Sequence, residues 1–197
     1  YLTTLFLGDA GVEEGVFHEC INFASLHRLP IIFFCENNFY SVYTHISRRQ
    51  PERSIASMVA GHGLQTYQTD GNDVIEVQRV ARLAVEYVRS GAGPVFIEAM
   101  TYRHREHCGP NLDHHLGYRS EEEIDSWMQR CPVKKIIADA NNSVVKGKSF
   151  AESLRPHESI FGSLFINMIE VGETTGKLTL VLKLLANQMK KDYNLRK

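Results

Sequence analysis

The sequence predicts an α/β fold: a partial, doubly wound parallel sheet followed by a small all-α helical segment. Up to residue 101, short apolar runs alternate with stretches in which apolar residues recur every three or four positions. Strands that alternate with helices are typical of a parallel sheet with helices on both faces. From residue 136 onward the sequence has helical periodicity and no pattern typical of a strand.

Four strands are predicted in the first region. Residues 2–7 and 30–35 are apolar runs of strand length, and two further strands are predicted at 65–69 and 95–101. Pro94 opens the last of them. The first strand, the helix after it and the second strand form a unit that returns the chain beside its start, so the two strands should be parallel neighbours.

Helices are predicted between these strands. The first has an apolar face formed by Phe17, Cys20, Ile21 and Ala24. A short helix is predicted over residues 54–62. In the next helix Asp73 is the expected N-cap and Gly91 the expected terminator. A polar loop, residues 102–119, then leads to a helix capped by Ser120. The apolar face of the Asp73 helix comprises Val77, Val80, Ala81, Ala84 and Val88.

The last third of the chain is predicted to be helical. Ser149 and Glu152 have capping-box spacing before a short helix that Pro156 stops. Residues 172–176 (GETTG) have the length of a helical-hairpin connection and are expected to form a turn without a chemical role. Two helical stripes flank this turn: Phe161, Leu164, Phe165, Met168 and Ile169 before it, and Leu178, Val181, Leu182, Leu185 and Met189 after it.

Composition argues against several classes of function. Lys and Arg number 22 and Asp and Glu 23, so no global charge points to nucleic acid or a membrane surface. No apolar run approaches the roughly 20 residues of a membrane helix, and no signal peptide is visible. The four cysteines form no CxxC motif, which indicates a reducing, cytoplasmic location and no zinc site. Cys20 and Cys35 are expected to be buried thiols.

Two polar residues follow the first two strands. Asp9 comes directly after Gly8, and Asn38 follows the second apolar run 29 positions later (38 − 9). Parallel neighbours place both at the carboxyl edge of the sheet, where open α/β sheets bind ligands. A carboxylate and an amide oxygen suit Mg²⁺, and the small residues Ala10 and Gly11 leave backbone N–H groups able to face a phosphate. The pattern predicts a site for a metal and a diphosphate.

Each of these residues has an alternative interpretation when taken singly. Asp9 alone is typical of a helix N-cap, and Asn37-Asn38 alone is typical of a turn. His18, on the helix that follows, is expected to be a structural histidine satisfied by a neighbour.

The residues around this site resemble a known family. The Gly8-Asp9 start, the helix segment EGVFHE (14–19), the Leu29-Pro30 pair and the segment ENNFY (36–40) are similar to the thiamine-diphosphate motif. The nearest resemblance is to the alpha subunit of the decarboxylating dehydrogenase of 2-oxo acid dehydrogenase complexes, over roughly residues 1–133. It implies a thiamine-diphosphate-binding fold and oxidative decarboxylation of a 2-oxo acid, with acyl transfer to a lipoyl group.

The resemblance implies a role for individual residues at the sheet edge. Asp9, the Asn38 side chain and the Tyr40 carbonyl would bind Mg²⁺, while Ala10 and Gly11 would hold the diphosphate of thiamine diphosphate through their backbone. The family more often has Gly-Asp-Gly-Ala where this chain has Gly-Asp-Ala-Gly. Because the residues stay small, we expect the phosphate contact to be kept.

The loop after the last strand carries the remaining candidates. His104 and His107 have His-x-x-His spacing, which is a weak indication of zinc in a loop without cysteine. The resemblance instead places His107 at the reacting end of the cofactor, as the catalytic residue that handles a proton. Arg103 and Arg105 could meet a phosphate or a 2-oxo acid carboxylate, or belong to a solvated loop.

The family also implies partners. The cofactor would lie across an interface with a dehydrogenase beta subunit, within a heterotetramer that serves a lipoyl-bearing acyltransferase. The beta subunit would contribute the acid that activates the aminopyrimidine. Because the sequence begins inside a strand, we expect a fragment that lacks the N-terminal part of its domain and is inactive alone.

The helical segment resembles a different family. Residues 150–197, with the runs SLRPH and NMIEVGETTGKL, are similar to the cytoplasmic helical domain of type II secretion and type IV pilus platform proteins, the F family. There these helices flank membrane spans, so any membrane association is expected only through this segment. The predicted domains are residues 1–133 and 137–197, joined near 133–137 by a fusion of two gene fragments. The alternative function is a non-enzymatic helical piece of a secretion or pilus inner-membrane platform, or an artefact of the fusion.

Overall fold

A computed structural model describes residues 1–195 of the chain. The chain divides into two compact units, one of residues 1–131 and one that begins at Pro132. The first unit is α/β and the described part of the second is helical, which confirms the predicted fold class. Arg196 and Lys197, the end of the predicted helical segment, lie outside the described residues.

The first unit is built on a four-stranded parallel sheet. Its strands have the order β1-β2-β6-β5, and each predicted run forms one of them within two residues of its predicted ends. A short antiparallel hairpin, β3 and β4, follows β2. The strands are β1 (Thr3–Gly8), β2 (Ile31–Asn37), β3 (Tyr40–Ser41), β4 (Thr44–His45), β5 (Gln65–Asp70) and β6 (Val95–Met100).

Helices cover both faces of this sheet, as expected for a doubly wound fold. The helices of this unit are α1 (Gly15–Leu26), α2 (Ile55–Ala60), α3 (Val74–Arg89) and α4 (Glu121–Gln129). On one face, α1 and α2 enclose a buried cluster that includes Phe17, Ile21, Phe33, Ile55 and Phe96. On the other, α3 encloses a cluster that includes Ile32, Val80, Ala84, Val95 and Ile97.

Local capping signals in the sequence are confirmed. The Asp73 carboxylate accepts hydrogen bonds from the backbone N–H groups of Ile75 and Glu76 at the start of α3. Gly91, just beyond the end of that helix, has a left-handed backbone with φ of 78°. Ser120 accepts from the Glu123 N–H at the start of α4.

The two cysteines expected to be buried differ. Cys35 lies in the core, and burial, together with the nearby carboxylates of Glu98, Asp9 and Glu36, raises the pKa of its thiol. Cys20 is exposed, so that expectation was wrong. It lies on the flank of α1 above β1, and because β1 is the edge of the sheet, no described strand lies beyond it to cover that flank.

The second unit consists of helices around one buried cluster. Its elements are α5 (Pro132–Val145), α6 (Phe150–Leu154), α7 (Glu158–Phe161), α8 (Ser163–Thr174) and α9 (Leu178–Leu195). Ser149 and Glu152 form the predicted capping box at the start of α6. None of the helices within residues 1–195 has the length and apolar character needed to cross a membrane. The cluster comprises Ala140, Ala151, Leu154, Ile166, Ile169 and Leu185.

The predicted stripes of this unit need correction. Gly162, with φ of 82°, ends α7 and α8 begins after it, so Phe161 and Leu164 do not continue one helix. As a result Leu164 is 73% exposed, whereas Ile166, which was not in the stripe, is fully buried. In the second stripe Leu185 is buried, but Leu182 and Met189 are exposed.

The predicted turn at residues 172–176 also differs from the structure. Helix α8 continues to Thr174, so Gly172 and Glu173 are helical. A Cβ at Gly172 would lie 3.0 Å from a methyl carbon of Val181, so glycine permits α8 and α9 to approach closely. The Glu173 carboxylate accepts hydrogen bonds from the N–H groups of Phe150 and Ala151, at 2.7 and 2.9 Å. Glu173 therefore caps α6, a role that was not predicted.

The predicted junction at 133–137 lies inside the continuous helix α5. The division into domains of different function, residues 1–133 and 137–197, stays a prediction.

We expect Ile166→Ala to destabilise the second unit by about 3 kcal/mol, because it leaves a cavity in its core. The matched control is Leu164→Ala on the same helix, which should change stability by about 0.5 kcal/mol or less because that side chain is exposed. Urea unfolding followed by far-ultraviolet circular dichroism measures both. Equal effects of the two substitutions would contradict this description of the core.

Candidate cofactor and metal site

The sheet places the first two candidate residues at the same edge. Strands β1 and β2 are parallel neighbours, and Gly8 pairs with Glu36. Asp9 and Asn37 therefore leave the sheet side by side, and Asn38 follows at once. Ala10 and Gly11 lead from Asp9 into a short 3-10 turn, Gly11–Glu13. The carboxyl edge of this sheet thus presents the carboxylate and the amide from adjacent strand ends.

The turn after β2 has an unusual backbone that positions Asn38. Asn37 and Asn38 each accept, through Oδ1, the N–H two residues ahead: that of Phe39 at 3.0 Å and that of Tyr40 at 3.1 Å. Phe39, which follows Asn38, has φ of 68°, a left-handed conformation that costs a non-glycine residue free energy. The amide oxygen of Asn38 keeps a second lone pair, which could serve a metal.

A buried carboxylate on β6 holds this turn in place. Glu98 accepts hydrogen bonds from Asn37 Nδ2 at 2.8 Å, the Ala56 N–H at 2.9 Å and Gln68 Nε2 at 3.0 Å. One side chain therefore joins β2, α2 and β5 to β6. The sequence analysis missed Glu98, although the signal was present, since it is the one charged residue within the apolar run of residues 95–100.

Asp9 is buried and paired, and it is not a helix cap. Its carboxylate is 1% exposed and forms an ion pair with the Arg49 guanidinium, which also binds Glu13. Gln50 Nε2 donates to the Asp9 carbonyl at 3.3 Å and to Glu13 Oε1 at 2.8 Å. Arg49 and Gln50 were missed because they lie 40 residues away in sequence, in a segment without a distinctive pattern.

Asp9 and Asn38 have the chemistry of ligands for a hard cation. A buried carboxylate with a guanidinium already beside it is a position that accommodates positive charge, and an amide oxygen stands at the neighbouring strand end. Tyr40, whose carbonyl was expected to complete the set, opens β3 and is buried. The residues present therefore fit a magnesium ion held by mixed oxygen ligands, and no group of three or more His, Cys, Asp and Glu side chains within residues 1–195 is arranged to hold a metal.

Tyr40 also ties the hairpin to α4. Its hydroxyl donates to Glu123 Oε2 at 2.9 Å, and burial together with this hydrogen bond raises the pKa of Tyr40. Tyr102, two residues after the end of β6, stacks its ring on Trp127 of α4 with ring centroids 5.4 Å apart. Helix α4 therefore contacts both the hairpin that follows Asn38 and the loop that follows β6.

The loop of residues 102–119 separates the candidates that it carries. Arg103 is partly buried, and its Nη2 donates to the Val42 carbonyl at 2.7 Å and to Tyr118 Oη at 2.9 Å. It is therefore not a solvated loop residue. His107, in contrast, is exposed, and Arg105 is exposed and donates to the Pro110 carbonyl. The structure does not bring His107 into contact with Asp9 or Asn38.

An ion pair anchors this loop from within. Arg119 donates to Asp113 and to the Arg103 carbonyl, and Tyr118 also donates to Asp113. Burial alone would raise the pKa of Asp113, but the hydrogen bond from Tyr118 and the charge of Arg119 outweigh it and hold that pKa below its usual value. The ion pair is buried on both sides, so the loop has a fixed structure around it.

Several buried polar atoms of this loop lack a partner. Within residues 1–195, no hydrogen-bond partner is present for five of them, four of which are nitrogens. Buried donors without acceptors are costly, so an acceptor such as a carboxylate or phosphate would stabilise this arrangement. These atoms are Tyr102 Oη, Arg103 Nε and Nη1, His104 Nδ1 and Arg119 Nε.

The fold and the sequence at this edge identify the class of protein. Residues 1–146 match the model of the family described as dehydrogenase E1 component, and the chain belongs to that family. Residues 128–197 match the model of type II secretion system (T2SS), protein F. Both predicted resemblances are confirmed, and the two matches overlap over residues 128–146.

Curated relatives include alpha subunits of 2-oxo acid dehydrogenases. The chain is 37% identical over 134 residues to the 3-methyl-2-oxobutanoate dehydrogenase subunit alpha of Mycobacterium tuberculosis, covering 68% of this chain and 36% of the relative. It is 40% identical over 135 residues to the pyruvate dehydrogenase E1 component subunit alpha of Porphyra purpurea, covering 68% and 38%. The chain therefore spans little more than a third of the length of these relatives.

Similar solved structures include two transketolases. That of Campylobacter jejuni aligns with 20% identity and a TM-score of 0.46, covering 51% of this chain and 15% of that one. A mutant transketolase of Pichia stipitis aligns with 15% identity and a TM-score of 0.47, covering 86% and 27%.

We expect Glu98→Gln to destabilise the first unit by about 2–3 kcal/mol, because an amide cannot accept from all three donors that now meet the carboxylate. Glu36→Gln, an exposed position on β2, is the matched control and should change stability by about 0.5 kcal/mol or less. Urea unfolding followed by fluorescence of Trp127, the only tryptophan, reports on this unit. A Glu98→Gln variant as stable as the control would mean that Glu98 does not organise the sheet edge.

Proposed function

We propose that the first unit is the cofactor-binding part of a thiamine-diphosphate-dependent 2-oxo acid dehydrogenase alpha subunit. The observation that carries this proposal is the position of Asp9 and Asn38 at the ends of adjacent parallel strands, in a chain of the dehydrogenase E1 family. When bound, thiamine diphosphate would supply the group that accepts the electron pair left by decarboxylation. The proposed reaction is oxidative decarboxylation of a 2-oxo acid with acyl transfer to a lipoyl group.

In this proposal the sheet edge holds the cofactor by its charged end. Asp9, Asn38 and the Tyr40 carbonyl bind Mg²⁺, which in proteins commonly takes one or two carboxylates together with substrate phosphates. The backbone of Ala10 and Gly11 contacts the diphosphate. The Asp9 carboxylate is buried and paired with a guanidinium, so this position already stabilises one positive charge.

The loop of residues 102–119 supplies the polar groups of the proposed reaction. The unpaired nitrogens of Arg103 meet an anion, either the cofactor phosphate or the carboxylate of the 2-oxo acid. His107 handles a proton once a partner covers it, because an exposed imidazole cannot by itself exclude water from the reacting atoms. Burial, together with the charges of Arg119 and His114, lowers the pKa of His104, which favours the neutral form of this second imidazole.

The proposed partners complete the site. A dehydrogenase beta subunit covers the cofactor and contributes the acid for the aminopyrimidine, and a lipoyl-bearing acyltransferase receives the acyl group. The assembly is a cytoplasmic heterotetramer. Because the beta subunit would complete the site, we expect the chain to be inactive without it.

A second candidate function belongs to the helical unit. Residues 128–197 match the secretion-platform family, and this unit has a buried core of its own. It is then a non-enzymatic helical scaffold piece, and the chain is a fusion or a junction artefact. DNA sequencing across codons 130–140 distinguishes a fusion from a junction artefact, because an artefact would not be present in the source DNA. A neighbouring beta-subunit gene favours the enzyme, whereas neighbouring pilus genes favour the scaffold.

The binding test uses the purified full chain with thiamine diphosphate and Mg²⁺. The Trp127 ring lies 6.1 Å from that of Phe39 beside the Asn38 turn, so its fluorescence should report binding. We expect Asp9→Asn to weaken binding about tenfold or more, because it removes the charge on the metal ligand. The exposed Asp125→Asn on α4 is the matched control and should bind as the unmodified chain does. Equal affinity in both variants would refute the assignment of Asp9.

The same chain should show no turnover of 2-oxo acids with both cofactors present. The reacting end of thiamine diphosphate would remain in water without a beta subunit to position it. Release of CO₂ from pyruvate and from a branched-chain 2-oxo acid measures this directly. Turnover by the chain alone would contradict the need for a partner.

A further inference from the structure

We propose that Arg49 is an internal counter-cation, which forms an ion pair with the Asp9 carboxylate when no metal is bound there. Arg49 must then leave Asp9 before a metal and diphosphate can bind. This inference rests on the proposed role of Asp9 as a metal ligand. It adds a step within the chain itself: the exchange of one cation for another on a buried carboxylate.

The burial of the ion pair is the first observation. The Asp9 side chain is 1% exposed and that of Arg49 is 10% exposed. A carboxylate in such a position must be paired, because burying an isolated charge is very costly. Arg49 meets this need with separate nitrogens on Asp9 and Glu13, while its Nε donates to the Thr44 carbonyl at 3.2 Å. Positive charge is thus already supplied where the metal is expected.

The neighbouring glutamine supports an exchangeable arrangement. Gln50 Nε2 binds the Asp9 carbonyl and Glu13, but its Oε1 is buried with no hydrogen-bond partner in the described part of the chain. An unsatisfied buried acceptor makes the arrangement in which Arg49 pairs with Asp9 less stable than its hydrogen bonds alone would make it. Moving the segment that carries Arg49 and Gln50 away from Asp9 therefore costs less free energy than breaking a fully satisfied arrangement would.

The two cations exclude each other for a physical reason. Arg49 contacts Asp9 Oδ2, and a divalent ion on the same carboxylate would lie within a few ångströms of the guanidinium, where like charges repel strongly. A diphosphate removes the conflict, because a displaced guanidinium can pair with phosphate oxygens in bidentate geometry. Metal alone should bind weakly, and metal and diphosphate should each strengthen the binding of the other.

The test compares Arg49→Gln with Arg48→Gln in the full chain. Arg48 is adjacent and exposed, so replacing it with Gln removes one positive charge, as Arg49→Gln does, without removing the partner of Asp9. Mn²⁺ serves as the probe, and its free concentration is followed by electron paramagnetic resonance without thiamine diphosphate. Arg49→Gln should bind Mn²⁺ about tenfold more tightly than the unmodified chain, because the competing cation is gone. Arg48→Gln should not, and Asp9→Asn added to Arg49→Gln should remove the gain.

A thermal measurement covers the case in which Arg49→Gln folds poorly. Loss of the counter-cation leaves Asp9 buried and unpaired, so the variant should have a lower Tm than Arg48→Gln without metal and should recover it with Mn²⁺. An Arg49→Gln variant that binds Mn²⁺ no more tightly than the unmodified chain, or that Mn²⁺ fails to stabilise, overturns the proposal. That failure is distinct from a failure of the proposed function, which would show as Asp9→Asn binding Mg²⁺ and thiamine diphosphate normally.

Discussion

Two buried carboxylates determine the structure of the sheet edge, because each must be matched by donors or by a cation. Glu98 is matched by three donors from three different elements, and so it fixes β2, α2 and β5 relative to β6. Asp9 is matched by Arg49. Glu98 binds Asn37 and so fixes the strand end that carries Asn38. Asp9 provides a negative charge whose partner, Arg49, is proposed to be exchanged for a metal.

Much of the fold could be predicted because its signals are local. The apolar runs and the caps Asp73, Ser120 and Ser149 depend on neighbours in sequence, and they appear in the structure as predicted. The failures involve contacts between distant segments or a single backbone break. Cys20 is exposed because the strand beneath its side of helix α1 is the edge of the sheet, and Leu164 is exposed because Gly162 interrupts the helix.

The candidate site was only half predictable. Asp9 and Asn38 follow strand ends, so the topology alone brings them to one edge. Glu98 stands out in the sequence as a charged residue within an apolar run, but its three partners depend on the tertiary structure. Arg49 and Gln50 could not be placed at all, since nothing in the pattern of residues 46–50 indicates which carboxylate they meet. The same holds for the helical unit, where Glu173 caps α6 from a position that resembled a turn. Helix α5 lies within the overlap of the two family matches, so the predicted junction falls in a regular element.

The most direct measurement is anomalous X-ray diffraction from Mn²⁺ in crystals of the chain grown with thiamine diphosphate. The proposed site predicts one strong peak within coordination distance of the Asp9 carboxylate and the Asn38 amide oxygen, with the Arg49 guanidinium turned from Asp9 to the diphosphate. A peak elsewhere on the chain would contradict the site. A peak at Asp9 with Arg49 still paired to that carboxylate would contradict the exchange of cations.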